Sequence, residues 1–287
     1  MIPAYPLFAE LDLLQRATMH PLFQQLPDGI SEFTFANLYL FRKSHHYRVS
    51  RLTEELLLIA GADAGQPFFM LPFGLPDDKL LQQLFNDFGT MKCVAASQVE
   101  VLAQRGCRVF EDRDNFDYLY LRTDLAELSG GKFHKKRNLI KAFVSNYAYE
   151  GRPLLEEYMP DALGVLDAWR QGRDDPGDYD AAKEALEKAE ELQLCGGVYY
   201  VGGRPVAYSL GEELMLGRSF AIHFEKAVGE YKGLWQFVNQ AFASILPEKY
   251  DTINREQDLG DEGLRHAKLS YKPVDFIRKY RAVLVAR

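Results

Sequence analysis

The residues best suited to chemistry lie between Tyr250 and Pro273, in the stretch YDTINREQDLGDEGLRHAKLSYKP. A short strand-like piece ends at Asn254, and Arg255, Glu256, Gln257 and Asp258 follow without an apolar interruption. Glu256 and Asp258 are carboxylates able to take a proton or hold an amine, and Arg255, Arg265 and Lys268 can hold a phosphate or carboxylate. Tyr271 is a candidate proton donor. Gly260 permits a turn because it lacks a Cβ. From Asp261 the pattern is helical, since Asp261 and Glu262 suit the positive end of a helix and Leu264, Ala267 and Lys268 recur at helical spacing. A surface salt-bridge network at a helix start would have the same composition, so the elements around the stretch have to decide between the two.

Those elements come from a chain of 287 residues, 47% hydrophobic and 26% charged, which is a globular composition and long enough for one large or two ordinary domains. Its longest apolar run, near Leu56 to Ala62, falls far short of the roughly 18–20 residues that cross a bilayer. The N-terminus MIPAYPLFAELDLLQRA lacks a basic region followed by an apolar run, so no signal peptide is expected. Cys93, Cys107 and Cys195 form no CxxC pair and read as reduced thiols of a cytoplasmic protein. A net charge of −7 argues against a protein coated in nucleic acid, yet Lys132, Lys135, Lys136, Arg137 and Lys141 fall within a stretch that has no acid, Leu128 to Ser145. Attraction of a polyanion would therefore be local. His45 and His46 look like a metal pair, but neighbours on a strand point to opposite faces, and no metal site is expected.

Alternating helix and strand patterns predict a compact α/β unit over the first 122 residues or so. FTFANLYLF, Phe33 to Phe41, is compatible with either a strand or a helix. Leu80, Leu81, Leu84, Phe85 and Phe88 form one stripe of an amphipathic helix, and Ser97 is a plausible N-cap for the next. A basic helix is predicted from Lys132 to Phe143, with Phe133, Leu139, Ile140 and Phe143 inward. Ala181 to Leu194 reads as one helix, and Gly202-Gly203 joins two strands, Gly197–Val201 and Arg204–Leu210, in a hairpin. A strand to Glu225, a glycine-bearing turn at Gly229 to Gly233, a helix from Tyr231 to Leu246 and a strand ending at Asn254 complete the order. Phe276 to Ala286 closes the chain as helix or strand.

The order in the second half is that of an N-acyltransferase fold of the acetyltransferase type, in which two central parallel strands splay and the acyl donor sits in the gap. The glycine turn would let backbone N–H groups approach an anionic donor at the helix N-terminus. It lacks the full Gln/Arg-x-x-Gly-x-Gly pattern of acetyl-CoA enzymes.

Three segments, DYLYLRTDLAELSGGKFHKKRNLIKAF, IHFEKAVGEYKGLWQFVNQAF and INREQDLGDEGLRHAKLSYKP, resemble soluble relatives of the catalytic C-terminal domain of bacterial phosphatidylglycerol lysyltransferases. The resemblance runs over most of the chain from about Phe35. It implies an α+β protein of two tandem GNAT-like folds with mixed sheets and splayed central strands, here expected at 1–150 and 151–287, the second carrying the active cleft. It also implies kinship with enzymes that move an aminoacyl group from aminoacyl-tRNA to an amine or hydroxyl. The multi-helix membrane part of the lysyltransferases has no counterpart in this sequence.

On that reading Glu225, Glu256, Asp258 and Tyr271 are the catalytic candidates. Asn254, Arg255, Arg265, Lys268, Gly233 and Asn239 are the substrate-binding candidates, although Asn239 also reads as a packing or capping residue. Lys132, Lys135, Lys136 and Arg137 are the natural place for tRNA phosphates, as positioning contacts. No permanently bound cofactor is expected; aminoacyl-tRNA or acyl-CoA would be a co-substrate, with a small-molecule acceptor. An acetyl-CoA-dependent N-acetyltransferase and a non-catalytic ligand-binding protein remain open beside the aminoacyltransferase.

Overall fold

Side-chain caps and apolar stripes set the elements of the first third of the chain, in a computed structural model that describes residues 1–285. After strand β1 (Ala9–Glu10) and helix α1 (Arg16–Phe23), the Thr34 hydroxyl accepts from Asn37 N–H and starts α2 (Phe35–Leu40). Every residue of α2 is buried, so it has no polar face to betray its period. Strands β2 (Arg48–Arg51), β3 (Leu57–Asp63) and β4 (Gln66–Met70) follow. Asp77 caps α3 (Asp78–Phe88), which buries Leu81, Leu84, Phe85 and Phe88 as the stripe predicts. Beyond β5 (Thr90–Ala95), α4 spans Ala96–Gln104. Ser97 is inside α4 and does not cap it; Gln98 reaches back instead, its Oε1 accepting from Ala95 N–H at 3.1 Å. Strand β6 is Cys107–Glu111.

The remainder comprises β7 (Asp117–Leu121), α5 (Arg122–Glu127), α6 (His134–Asn146), β8 (Tyr149–Pro153) and α7 (Met159–Gln171). The stretch expected as one helix from Ala181 is two, α8 (Tyr179–Glu187) and α9 (Ala189–Leu192), because Lys188 leaves the helical conformation at φ −117°. The hairpin β9 (Cys195–Val201) and β10 (Arg204–Leu214) turns on Gly202 and Gly203, both at positive φ, as the hairpin signal requires. Then come β11 (Ser219–Ala227), α10 (Leu234–Ile245), β12 (Thr252–Asn254), α11 (Glu262–Leu269), β13 (Asp275–Ile277) and β14 (Lys279–Leu284). The end of the chain is thus strand; Ala286, the last residue of that expectation, lies outside the described residues.

Contacts group the chain into two units that are not contiguous in sequence. One holds Met1–Asp117, Gln257–Glu262 and the residues from Phe276 onward, and the other Tyr118–Glu256 and Gly263–Asp275. In the first, β1 to β4 form an antiparallel meander, β4 pairs in parallel with β5, and β14 from the far end of the chain lies between β5 and β6. In the second, β8 to β11 form the meander, β11 pairs in parallel with β12, and β7 pairs with β12. The short β13 ends this sheet. Each unit is therefore four antiparallel strands, a helix and a parallel strand, completed by a strand from a distant part of the chain. The fold is α+β, with two mixed sheets flanked by helices. Among the described residues no helix is long and apolar enough to cross a membrane.

Candidate active site

The second unit's parallel pair is short. Ser219, Phe220 and Ala221 pair with Thr252, Ile253 and Asn254, and there the pairing stops while β11 runs on to Ala227. One residue of β11 also lacks a partner on its other side. Leu210 faces Phe224 and Gly211 faces Ile222, so His223 is the extra residue of a β-bulge. The bulge shifts the alternation of the strand. Phe220 and Glu225, five positions apart, would sit on opposite faces of a regular strand; here Phe220 packs on Phe242 of α10 and Glu225 reaches the same helix through Arg255.

Two charge pairs span the gap where β11 and β12 part. Arg255 Nη2 donates to Glu225 Oε1 at 2.8 Å, both side chains being nearly buried. Asn239 of α10, with its amide oxygen turned to the guanidinium, accepts from Arg255 as well. His223 lies between two carboxylates, with Nδ1 2.7 Å from Glu256 Oε1 and Nε2 3.0 Å from Glu212 Oε1. Glu256 has a left-handed backbone, φ 54°, which is strained for a side-chain-bearing residue. Three contacts hold it there: Asn254 Oδ1 accepts from Glu256 N–H, and Tyr118 N–H and Lys268 Nζ both donate to its carbonyl. Lys268 also donates to the Arg255 carbonyl. A third cation, Lys136 of α6, lies 3.9 Å from the centre of the Tyr271 ring and donates to Ser270 Oγ; Arg255 faces the same ring at 5.8 Å.

These surroundings set the protonation states. Burial alone would drive His223 neutral, but the charges and hydrogen bonds of Glu256 and Glu212 outweigh it and raise its pKa to about 10. At neutral pH His223 is an imidazolium that donates to both carboxylates, and it is no general base. Burial raises the Tyr271 hydroxyl to about 12, against the lowering effect of Arg255, so it stays protonated at neutral pH. Burial lowers the Lys136 pKa and the Arg255 charge lowers it further. Arg255 is raised: burial opposes its charge, and Glu225 overrides that.

The gap thus gathers Glu225, Arg255, Glu256, Asn239 and Asn254, with Lys268, Tyr271 and Lys136 around them. Asp258 lies in the first unit, fully buried, where Arg113 Nη1 and Gly260 N–H donate to its carboxylate. Arg265 is half-buried on α11. Gly233, at φ 90°, starts α10, but the side where a Cβ would project is occupied by the Leu139 carbonyl of α6, so close helix packing accounts for the glycine. Of the basic set, Lys132 pairs with Asp124 at 2.6 Å, and Arg137 donates to the carbonyls of Leu128 and Gly130. Lys135 is exposed, and Lys136 faces Tyr271. Sequence reasoning passed over His223 and Glu212. The available signal was a histidine inside the apolar strand SFAIHFEKA, a place where a polar side chain needs buried partners.

Two mixed sheets, each with a parallel pair opening beside a helix, define a protein of two tandem GNAT-like folds. A tandem GNAT protein from the clavulanic acid biosynthesis pathway shares the fold at TM-score 0.52, with 9% identity over 98% of this chain and 99% of that one. The family model for phosphatidylglycerol lysyltransferase, C-terminal, matches residues 23–283, and the chain belongs to that family. A conserved protein of unknown function from Bacteroides thetaiotaomicron is 32% identical and superposes at TM-score 0.88 over 99% of this chain and all of that one (100%). L-PGS from Bacillus licheniformis superposes at TM-score 0.67 with 16% identity, over 100% of this chain and 95% of that one. An uncharacterized protein of Mycoplasmoides gallisepticum is 25% identical over 184 residues, 60% of this chain and 56% of that protein, so the match spans little more than half of that relative.

Proposed function

We propose that the chain is an aminoacyltransferase that takes an aminoacyl group from aminoacyl-tRNA and passes it to a small amine or hydroxyl acceptor in the gap between β11 and β12. The observation that carries this reading is the gap itself, lined by His223, Glu225, Arg255 and Glu256 where the parallel pairing ends. Family membership supports it, because the family takes its description from an aminoacyl-transferring enzyme.

In this reading the acceptor's nitrogen or oxygen attacks the ester carbonyl of the donor. Its proton passes to Glu256, the new amide or ester bond forms, and the bond from the carbonyl carbon to the ribose oxygen breaks. Tyr271 supplies the proton that the departing ribose hydroxyl needs, and solvent returns a proton to Tyr271 as Glu256 releases its own. Arg255 and the His223 imidazolium provide fixed positive charge where the tetrahedral oxyanion develops. Glu225 and Glu256 also suit the ammonium of an aminoacyl group. Lys136 brings one cation of the basic helix to the Tyr271 ring that Arg255 also faces, which supports a polyanionic donor. The acetyl-CoA alternative leans on the glycine before α10, which helix packing already explains.

Purified protein given tRNAs charged with labelled amino acids and a panel of amines and alcohols should deplete the aminoacyl-tRNA and label an acceptor. Release of free CoA from acetyl-CoA, with charged tRNA untouched, would establish the acetyltransferase instead. Turnover of neither donor would favour a ligand-binding protein.

A further inference from the structure

The first unit carries a cavity that the transfer reading does not use. Its volume is about 520 Å³, within the range of small-molecule sites, and Arg42, Lys43, His46 and Arg48 line it, with Glu10 the carboxylate among them. Leu11 and Pro67 supply apolar wall. The stretch from Arg42 to Arg51 also contains Arg51 and no acid, in a chain whose net charge is −7. Arg51 is spent on Glu54. The lining thus holds three cations, Arg42, Lys43 and Arg48, and one carboxylate, Glu10.

The geometry of this wall is built rather than incidental. The Arg42 guanidinium carbon stands 3.7 Å from the centre of the Tyr39 ring, and its Nη1 donates to the Tyr39 carbonyl at 2.5 Å, so the fork is held in place. Arg48 stands 5.0 Å from the Phe8 ring. The turn that carries Arg42, Lys43 and His46 can approach β3 because position 61 is glycine: a Cβ there would run into the Phe68 ring and the His45 carbonyl, at 2.7 and 2.9 Å. The two adjacent histidines separate at this turn. His45 turns to Asp63, with Nδ1 2.6 Å from Oδ1, while His46 takes a left-handed backbone, φ 50°, and lines the cavity.

We propose that this cavity binds a nucleotide-sized phosphate ester, its phosphate held by Arg42, Lys43 and Arg48 and its ring set against the apolar wall. Arginine forks match phosphate oxygens in pairs, and a stacked, pre-oriented guanidinium loses little freedom on binding. The phosphate belongs either to a free nucleotide or to a nucleotide within RNA, and the test separates them. The inference does not depend on the proposed transfer chemistry, whose residues lie in the other unit.

Calorimetric titration of the full chain with AMP, and separately with a short single-stranded RNA, gives the readout. Saturable binding is expected, weakened about tenfold in Arg48→Ala and further in Lys43→Ala/Arg48→Ala, in keeping with the loss of charge-assisted hydrogen bonds. Both side chains are exposed, so the variants should fold, and Arg48→Gln provides a second, milder test. Binding of AMP alone assigns the site to a free nucleotide, and preference for RNA assigns it to a strand. Glu256→Gln should leave the affinity unchanged; if it abolishes binding, the ligand sits in the gap and the proposal fails. Absence of saturation by either ligand, or equal affinity in wild type and double variant, also overturns it.

Discussion

The two parallel strand pairs of this protein share a topology and differ in what fills them. In the first unit β4 and β5 pair at Phe68–Thr90 and Phe69–Met91, and one face of the pair is apolar core: Phe69, Leu71, Met91 and Val94 belong to one buried cluster with Leu84 and Phe85, while Lys92 on the other face pairs with Asp63. In the second unit the corresponding pair, β11 and β12, opens onto His223, Glu225, Arg255 and Glu256. The same backbone device thus packs against apolar core in one unit and is spanned by charge pairs in the other. The difference is informative because burying ion pairs costs desolvation that an apolar filling avoids, so stability alone gives no reason for the charges. The first unit buries charge too, Lys279 against Asp117 and Glu32, but no charge pair is recorded across its β4–β5 pairing among the described residues. What marks the second is the pair of ion contacts across its parting strands and the cations gathered around one tyrosine.

The comparison can be broken from either side. Arg255→Ala would leave Glu225 buried without its partner, and a loss of about 3–5 kcal/mol in denaturant unfolding is expected; a loss below about 1 kcal/mol would mean that the gap is solvated and the contrast is not one of burial. Phe69→Ala should cost a comparable amount, about 3–5 kcal/mol, through the cavity it leaves. Its activity per folded molecule should match wild type, since it belongs to the apolar pair; a selective loss of turnover would give the first unit a part in the chemistry.

A further contrast lies in pH dependence. The folded pKa of His223, about 10, stands above the unfolded value of about 6.5. Its contribution is therefore complete below pH ~6.5 and is lost as the pH rises through ~10, on the order of a few kcal/mol. Unfolding measured from pH 6 to 10 should show that decline, and His223→Gln should flatten its share; an unchanged slope would remove the imidazolium from the account. The smallest effect belongs to Lys135, the exposed member of the basic set. Lys135→Ala should alter stability by no more than about 0.5 kcal/mol. If α6 contacts tRNA, the variant should reduce the salt dependence of tRNA binding by about one unit of log–log slope.

Local patterns made several elements legible. The stripe of α3, the double-glycine hairpin of β9 and β10 and the inward face of the basic helix follow from spacing and turn chemistry, and they stand as expected. Phe35–Leu40 did not declare itself because a helix buried on all sides has no amphipathic period; the cap at Thr34 was its usable signal. Ser97 looked like a cap, but Gln98 satisfies the Ala95 N–H from within the helix. The third class of feature is non-local. Nothing near Lys279 announces that β14 will lie between β5 and β6, where its lysine is buried against Asp117 at 2.6 Å. Likewise the signature stretch reads as one segment, yet Arg255 and Glu256 belong to the charged gap while Asp258 closes a buried pair with Arg113. The bulge at His223 shifts which residues share a face, and period-two reading does not reveal it.

The central claim, that the charged gap of the second unit performs the transfer, is tested most directly by comparing aminoacyl transfer in wild type and Glu256→Gln with an identified acceptor. The account predicts a fall in kcat/KM of at least about 100-fold, as for loss of a general base, with AMP affinity unchanged in a protein that still folds but unfolds more easily for want of the His223–Glu256 ion pair. Wild-type kcat/KM in a folded Glu256→Gln protein would contradict it.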